Sequence, residues 1–332
     1  MIEIIAEIAQ GFEGNPEQAR QLLRAASSAG ANAAKYQLVY ADELATPDYK
    51  YYDLFKDLEM KDQVWNNLVS YANELGIDLI FDVFGLKSLK LAEKLKSKTV
   101  MLHATDITNF ELINSVSSGP IDRVILGSGG AHLPEIENAI EALQNKSIII
   151  MLGFQGYPTP DDDNQISRIK YISSWLENKY SNTKVGFADH SMPNSNLLSS
   201  LSAMAFAAGA ITFEKHLTLS QIMNLEDYES AINPDQFYDY SNKLRASVMA
   251  YGKVKEVPDF GMSKSEQGYR KFVRRNIITS GFIPARTKVT EKNFVFKRSS
   301  LDGAITNIKK ILGREVLSDL EKNKPITLKD FK

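Results

Sequence analysis

Short apolar runs alternate with amphipathic stretches eight times over the first three quarters of the chain. Most of these runs are continuously apolar, which is typical of parallel β-strands that are covered by helices. We therefore predict eight strands, at 2–8, 32–38, 78–84, 98–104, 122–127, 147–152, 184–189 and 210–215.

The stretches between the predicted strands carry helix signals. The segment 15–30 has Asn15 in a capping position and Pro16 in the first turn, and it stops at Gly30. We predict further helices at 62–76, 133–144 and 195–209. Eight strand–helix repeats are the pattern of an α/β protein of the (β/α)8, or TIM-barrel, class. An open doubly wound sheet is the alternative, but it would not usually need eight such units.

The pattern changes near residue 252. The stretch 252–268 is polar and contains glycine and proline, so we expect a linker over 253–268. The linker would join a barrel domain over 1–252 to a small C-terminal domain over 269–332. Within the small domain, the sequence predicts short strands and turns at 276–289, 294–298 and 324–330, and a helix at 302–313.

Length and composition agree with two domains and limit the classes of function. The chain has 332 residues, of which 43% are hydrophobic, and a domain has roughly 150 residues. Its 39 Lys and Arg and 41 Asp and Glu residues give a formal net charge of −2. No overall field therefore favours nucleic acid or an anionic membrane as a partner. The absence of cysteine excludes disulfides, thiolate nucleophiles, iron–sulfur clusters and zinc ribbons.

We also expect a soluble, cytoplasmic protein. The first ten residues, MIEIIAEIAQ, lack the basic segment and the long apolar run of a secretory signal. No run approaches the ~18 uninterrupted apolar residues of a membrane-spanning helix.

Histidines at two neighbouring strand ends are candidate metal ligands. The active site of a (β/α)8 barrel lies at the C-terminal ends of its strands. There the seventh predicted strand ends in Asp189 and His190, and the eighth in Glu214 and His216. Two imidazoles that meet across the barrel mouth could hold one divalent ion and leave positions open for water and substrate. The alternative is that each histidine is an ordinary strand-end residue.

Other polar residues near strand ends are candidates for the same site. They are Glu13, Lys35, Gln37, Gln155 and Tyr157, and Asp189 is a further candidate for binding the substrate. Lys35 could clamp a phosphate or carboxylate or serve as a Schiff-base amine, or it could extend to the rim with no chemical role. Glu13 is a candidate general acid or base, although a loop glutamate is more often solvated.

Three further features have ordinary explanations beside the functional ones. The glycine-rich segment 127–130 could hold a phosphate, but a glycine-rich loop alone is weak support. We expect His132 at the surface near the start of a helix. The basic cluster Arg270, Lys271, Arg274 and Arg275 is expected to be a solvated or intersubunit face.

Six short motifs and the C-terminal segment resemble those of the sialic acid synthase family, which makes N-acetylneuraminate and related nonulosonic acids. The C-terminal segment 274–298 resembles the family's antifreeze-like (SAF) domain, and the likeness covers essentially the whole chain. The motifs are AEIAQGFEG (6–14), KYQ (35–37), GSGG (127–130), YPTP (157–160), ADHS (188–191) and EKHLT (214–218).

The resemblance implies a transferase that forms a carbon–carbon bond, built as a barrel and an SAF domain in a domain-swapped homodimer. Its substrates would be phosphoenolpyruvate and an N-acetylhexosamine such as N-acetylmannosamine. Its cofactor would be a divalent metal, typically Mn²⁺, with Mg²⁺ or Co²⁺ as alternatives. The metal ligands fall on His190 and His216, and Arg298 matches the SAF arginine that reaches the partner's site. The remaining matched site residues are Glu13, Lys35, Gln37, Tyr157, Glu214 and Asp227.

The sequence departs from this family where phosphoenolpyruvate is held. A lysine and a serine of the family become Met101 and Ala104, and a threonine becomes Asp82. Three further polar positions become Gly127, Gln155 and Ala188. Each lost charged contact to phosphate is worth roughly 1.5–3 kcal/mol. We therefore expect the donor pocket to be rebuilt, with Asp82, His103 and Asp106 forming a polar pocket for a hydroxylated or cationic group.

Three functions remain open at this point. The first is a divergent nonulosonic acid synthase that binds phosphoenolpyruvate differently. The second is a metal-dependent aldolase, lyase or epimerase-like enzyme that acts on a non-phosphorylated keto acid or sugar. The third is a catalytically silent homologue that binds a sugar or regulates a partner synthase. The retained histidine pair argues against the third.

Overall fold

The chain forms two compact units that meet at Gly252 and Lys253 in the sequence. The computed structural model describes residues 2–177, 179–253 and 258–332. Part of the predicted linker, residues 254–257, lies outside the described residues. In the described part of the chain, no helix is both long enough and apolar enough to cross a membrane.

The first unit is a closed barrel of eight parallel strands, as the sequence predicts. Each strand pairs with the next along the chain, and β8 pairs with β1 to close the barrel. The strands are β1 (Glu3–Ala9), β2 (Ala33–Leu38), β3 (Asp78–Val83), β4 (Thr99–Leu102), β5 (Arg123–Gly127), β6 (Ser147–Leu152), β7 (Thr183–Asp189) and β8 (Thr212–His216).

Helices follow the strands, and their ends match the signals in the sequence. The Asn15 side chain accepts hydrogen bonds from the backbone N–H groups of Glu17 and Gln18 and caps the first helix. The helices of this unit are α1 (Pro16–Ser28), α2 (Ala41–Leu44), α3 (Tyr52–Asp57), α4 (Asp62–Leu75), α5 (Leu86–Lys94), α6 (Phe110–Ser118), α7 (Leu133–Ala142), α8 (Ser167–Glu177), α9 (Leu198–Ala207) and α10 (Pro234–Tyr251).

Alternation along the strands divides side chains between the barrel interior and the helix layer. A buried apolar cluster fills the interior below the site: Ile5, Ala33, Ile80, Met101, Ile125, Ile149, Met151 and Ala188. A separate, larger apolar cluster includes the alternate strand residues together with apolar residues of the helices. Glu7, Lys35 and Asp82 each lie two residues closer to the C-terminal end of their strand than a residue of the interior cluster, and therefore on the same interior face. The alternation thus delivers charged side chains to the barrel mouth above an apolar floor.

The second unit, Lys253–Lys332, has its own small core. It contains α11 (Lys264–Val273) and an antiparallel pair, β9 (Asn276–Thr279) and β10 (Phe294–Lys297). Residues 264–268 of the predicted linker are therefore helical.

The predicted helix at 302–313 is wrong. Among its residues, only Ile308–Lys310 forms a short 3₁₀ turn. Ile305 instead bonds through its backbone to Ile277 and Ile326. Ile305 and Ile311 are buried in the core of this unit, so tertiary β-type bonding overrides a helix-like spacing.

Candidate active site

A cavity opens at the C-terminal mouth of the barrel, where the predicted site residues were expected. Its walls come from all eight strands or the loops that follow them. They are Glu7, Lys35, Gln37, Asp82, Met101, His103, Ala104, Gly127, Ser128, Gly129, Met151, Gly153, Phe154, Tyr157, Ala188, His190, Glu214, His216 and Asp227.

A buried ammonium between two carboxylates lines this cavity, above the apolar cluster of the barrel interior. Lys35 Nζ lies 2.5 Å from Glu7 Oε2 and 3.0 Å from Glu214 Oε2. The three side chains are almost completely buried. Lys35 Nζ also contacts the sulfur of Met101. These three residues lie on the adjacent strands β8, β1 and β2. Glu7 pairs in register with Lys35, whereas Glu214 pairs with Ile5, two residues before Glu7 on β1.

The electrostatics keep Lys35 charged and favour a proton on Glu7. Burial opposes the charge on Lys35, but the carboxylates of Glu214, Glu7 and Asp82 outweigh it and raise the Lys35 pKa above its ordinary value. Burial raises the pKa of Glu7 well above 4.5, against the attraction of Lys35. A protonated amine is a poor nucleophile, so the raised pKa disfavours the Schiff-base alternative for Lys35.

His190 and His216 come together at the adjacent ends of β7 and β8. Their ring centroids are 5.1 Å apart, and the Tyr157 ring packs against both. Burial lowers the pKa of His190 to about 4 and lowers that of His216 well below 6.5. Both imidazoles are therefore neutral at pH 7, the form that binds metal ions.

The protonation of His190 depends on two backbone groups. Its Nδ1 lies 3.2 Å from the carbonyl oxygen of Ala188 and 3.2 Å from the amide nitrogen of Phe154. A proton on Nδ1 that is donated to Ala188 leaves the Nε2 lone pair free for a metal. Acceptance from Phe154 would place the proton on Nε2 instead.

The donor set suits a loosely held divalent ion. Within the described residues, no group of three or more His, Asp or Glu side chains is arranged to hold a metal. A divalent ion at this place would have the two neutral imidazoles as nitrogen ligands and would take most of an octahedral coordination sphere from water and substrate. This pattern fits a metal that acts on a bound substrate better than a structural one.

A hydrogen-bonded chain borders the cavity mouth. The Tyr157 hydroxyl donates to the backbone carbonyl of Asp227 at 2.6 Å. Asp227 Oδ2 accepts from the Gln10 amide at 3.1 Å, and Gln10 Nε2 donates to Gln37 Oε1 at 2.8 Å. Burial raises the pKa of Asp227 to about 6. Gln37, Tyr157 and Asp227 thus all lie where the sequence places them, at one rim of the cavity.

Among the predicted site residues of the barrel unit, Glu13, Gln155 and Asp189 do not line the cavity. Glu13 is exposed in the loop after β1 and accepts from Gln18 Nε2 and the Glu226 amide. Gln155 turns into its own loop, where its Nε2 donates to the backbone carbonyl of Asn164.

Asp189 is the third predicted residue outside the cavity. It is fully buried on the helix side of β7, where its Oδ1 lies 3.2 Å from Lys215 Nζ. Strand alternation explains this position, because Ala188 and His190 take the interior face and leave Asp189 on the opposite one. The geometry therefore corrects its assignment as a substrate ligand.

Arg298 belongs to the C-terminal unit. It is exposed just after β10 and lines a cleft of that unit together with Arg270 and Arg274. Its expected role in a partner's site stays a prediction. His132 is exposed at the start of α7, as expected.

Glu7 and Phe154 belong to the cavity but are absent from the predicted site. Glu7 could have been found from alternation, because it shares the face of Ile5 in an otherwise apolar strand and approaches the C-terminal end. Phe154 carries no such signal. It sits in a loop with φ of 60° and contacts the rings of His103, Tyr157 and His190.

Comparison with known families identifies both units. The model of the NeuB family matches residues 22–256, and the model of the SAF domain matches residues 274–332. The first match spans more than two thirds of the chain. The chain belongs to the NeuB family. This confirms the resemblance to sialic acid synthases and the order of the two domains.

Individual relatives of this NeuB-family chain are distant but cover nearly its whole length. An uncharacterized protein of Methanocaldococcus jannaschii is 27% identical over 96% of this chain and 91% of its own. The N,N'-diacetyllegionaminic acid synthase of Legionella pneumophila is 22% identical over the same shares. In fold, the chain is similar to a crystal structure of a putative spore coat polysaccharide biosynthesis protein E from Chromobacterium violaceum. The TM-score is 0.82, with 21% identity and full coverage of both chains.

Proposed function

We propose that this protein is a sugar-acid synthase-like enzyme that joins a three-carbon donor to the aldehyde carbon of an N-acetylhexosamine-like sugar. The observation that supports it best is the buried Glu7–Lys35–Glu214 group beside the His190–His216 pair. This arrangement places one fixed positive charge, two carboxyl groups and two metal-binding imidazoles around a single cavity at the barrel mouth. Named NeuB-family relatives that make sugar acids support the same chemistry.

The proposed reaction forms one carbon–carbon bond. The methylene carbon of the donor attacks the aldehyde carbon of the sugar, and the aldehyde oxygen takes up a proton as it becomes a hydroxyl. If the donor is phosphoenolpyruvate, water adds at its central carbon and inorganic phosphate leaves. If the donor is pyruvate, its methyl group first loses a proton to a base. Both routes develop negative charge on oxygen atoms of the reactants.

The cavity residues suit these charge changes. The Lys35 ammonium would bind the donor carboxylate and stabilise an enolate, because its charge is fixed in a buried site. Glu7, with its raised pKa, would exchange the proton. Tyr157 and Gln37 would orient hydroxyl groups at the rim. A divalent ion on His190 and His216 would supply Lewis-acid polarisation of the aldehyde when it is bound.

A second candidate keeps this chemistry but uses a non-phosphorylated donor, which would make the enzyme an aldolase or lyase. The cavity wall favours this candidate, because the described lining residues offer a phosphate few donors. Lys35 is the only lysine or arginine among them. The Ser128 hydroxyl already donates to the Met151 carbonyl, and Met101 and Ala104 supply no polar side chain.

The test is incubation with Mn²⁺, a panel of N-acetylhexosamines and either phosphoenolpyruvate or pyruvate. Product would be detected by mass spectrometry, with phosphate release measured in parallel. We expect a sugar acid with at least one pairing. His132→Ala is a matched control, because it removes an exposed histidine of the same barrel. A complete lack of product and of phosphate release, with Mn²⁺ bound, would refute the proposal.

A further inference from the structure

Asp82 is a buried acceptor without a donor. It stands on the inner face of β3 at 1% exposure and lines the cavity. Neither carboxylate oxygen has a hydrogen-bond partner among the described residues. Buried polar groups are normally paired, and an unpaired carboxylate is costly. The missing partner is therefore a group that enters the cavity.

No side chain of the cavity donates a hydrogen bond to Asp82 in the described structure. The Lys35 ammonium is held between Glu7 and Glu214. The strand residues in register with Asp82 are Gln37 on β2 and Met101 on β4. Met101 has no polar hydrogen, and the Gln37 amide does not donate to Asp82. Gly127, which also lines the cavity, has no side chain that could donate. A Cβ at this position would lie only 2.7 Å from the Ala104 amide nitrogen. A ligand bound in the cavity would supply the hydrogen-bond donors that Asp82 lacks.

His103 supplies a complementary donor on the same wall. Its Nδ1 lies 3.4 Å from the Thr105 amide nitrogen and 3.1 Å from the Thr105 hydroxyl. In the tautomer in which Nδ1 accepts the amide proton, the imidazole proton lies on Nε2. Burial lowers the pKa of His103 to about 4, so the ring is neutral and carries that single N–H. Asp82 accepts and His103 donates, which is the pattern that a hydroxyl group satisfies.

The charge around this wall disfavours an anion. Glu7, Asp82 and Glu214 line the cavity against the single ammonium of Lys35. Burial raises the pKa of Asp82 to about 7, against the attraction of Lys35, and the charge on Glu214 adds to the rise. A phosphate placed against Asp82 would meet repulsion.

A wider cleft continues outward from the same wall. It shares Gln37, His103, Phe154 and Asp227 with the cavity. The described lining of this cleft contains no lysine or arginine. Aromatic rings and acids dominate its other walls: Asp42, Glu43, Tyr49, Phe55, Phe84 and Asp106. Aromatic faces with polar acceptors suit the apolar faces and hydroxyls of a sugar.

We infer that Asp82 and His103 form a subsite for hydroxyl groups of a neutral sugar, with the cleft toward Tyr49 and Phe84 holding the rest of the molecule. The inference rests on the proposed function in taking this cavity as the active site. It goes further in assigning the wall at β3 and β4 to an uncharged polyol instead of a phosphate. An ammonium group on an amino sugar would also donate to Asp82, and the experiment separates the two.

The experiment is calorimetric titration of the full-length protein with N-acetylmannosamine, mannosamine, phosphoenolpyruvate and orthophosphate. Wild type, Asp82→Asn, Asp82→Ala and Asp78→Asn would be compared. Asp78 is a matched control, because it lies exposed at the other end of the same strand. Asp82→Asn keeps one acceptor oxygen without the charge, whereas Asp82→Ala removes the acceptor.

We expect N-acetylmannosamine to bind wild type and Asp78→Asn equally. We expect its affinity to fall about 10-fold or more in Asp82→Ala and clearly less in Asp82→Asn. The assignment would be overturned if mannosamine bound more tightly than N-acetylmannosamine and lost as much affinity in Asp82→Asn as in Asp82→Ala. That result would show that the subsite binds an ammonium group and not a neutral polyol. Unchanged affinity in Asp82→Ala, no binding of either sugar, or stronger binding of orthophosphate than of sugar would also overturn the assignment. Asp82-dependent sugar binding without any condensation product would instead uphold the subsite and refute the proposed reaction.

Discussion

Replacing Asp82 by asparagine should stabilise the free protein, and the gain should grow with pH. The carboxyl is completely buried and has no hydrogen-bond partner in the described structure. Burial raises its pKa from 3.8 to about 7. The folded state therefore holds this proton more tightly than the unfolded state. Between pH 4 and pH 7 the folded protein binds more protons, so this group makes stability fall as pH rises.

The magnitude follows from the size of the shift. Three pKa units at about 1.4 kcal/mol each correspond to roughly 4 kcal/mol. This cost is absent below pH 4 and complete above pH 7. Asparagine has nearly the same shape but cannot ionise, so it removes the pH-dependent cost. Its new N–H₂ group adds a penalty that does not vary with pH.

The assay is urea unfolding of wild type, Asp82→Asn and Asp78→Asn at pH 5, 7 and 8.5. We expect the difference in unfolding free energy between Asp82→Asn and wild type to rise by a few kcal/mol across this range. Asp78→Asn should show no such trend, since that aspartate is exposed. A difference that stays constant with pH, or that falls as pH rises, would show that Asp82 is not an uncompensated acid.

Three further substitutions test other parts of the site. His190→Ala should weaken Mn²⁺ binding at least 10-fold by electron paramagnetic resonance, with His132→Ala unchanged; equal affinities would remove the pair as the metal site. Asp189→Asn should destabilise the fold by about 3–5 kcal/mol, because it removes the counter-charge of the buried Lys215 ammonium. The kcat/KM of the folded fraction should stay within about twofold; a selective loss of kcat/KM would restore Asp189 to the substrate site. Glu7→Gln should abolish the rise of kcat with pH that reports the deprotonation of this acid, and an unaltered pH profile would exclude Glu7 from proton transfer.

The barrel could be predicted because its strands are unusually apolar. A continuous run such as 147–152 indicates a strand that is buried on both faces, and eight of them leave few folds to consider. The two histidines followed from the same reasoning, since strand ends of a barrel converge. The prediction of a helix at 302–313 is wrong because the apolar residues of this segment pack into a small core with β-type backbone bonding.

The directions of the side chains at the strand ends are harder to predict from sequence. Asp189 and His190 are neighbours in sequence, yet the strand turns them to opposite faces. Glu7 was overlooked because it lies inside an apolar strand, although its alternation with Ile5 places it in the barrel interior. The loop residues Glu13 and Gln155 depend on backbone paths that no periodicity encodes. The sequence thus predicts where the site lies, at the mouth of the barrel, better than it predicts which side chains face the cavity.

Formation of the carbon–carbon bond is the central claim. The most direct measurement is ¹³C NMR with a donor labelled at its methyl or methylene carbon and an N-acetylhexosamine labelled at its aldehyde carbon. Wild type should give a product in which the two labels show one-bond coupling. Lys35→Met, which removes the buried ammonium, should reduce its rate by more than about 100-fold. Persistent absence of the coupled signal with wild type across the donor and sugar panel, or an equal rate with Lys35→Met, would contradict the account.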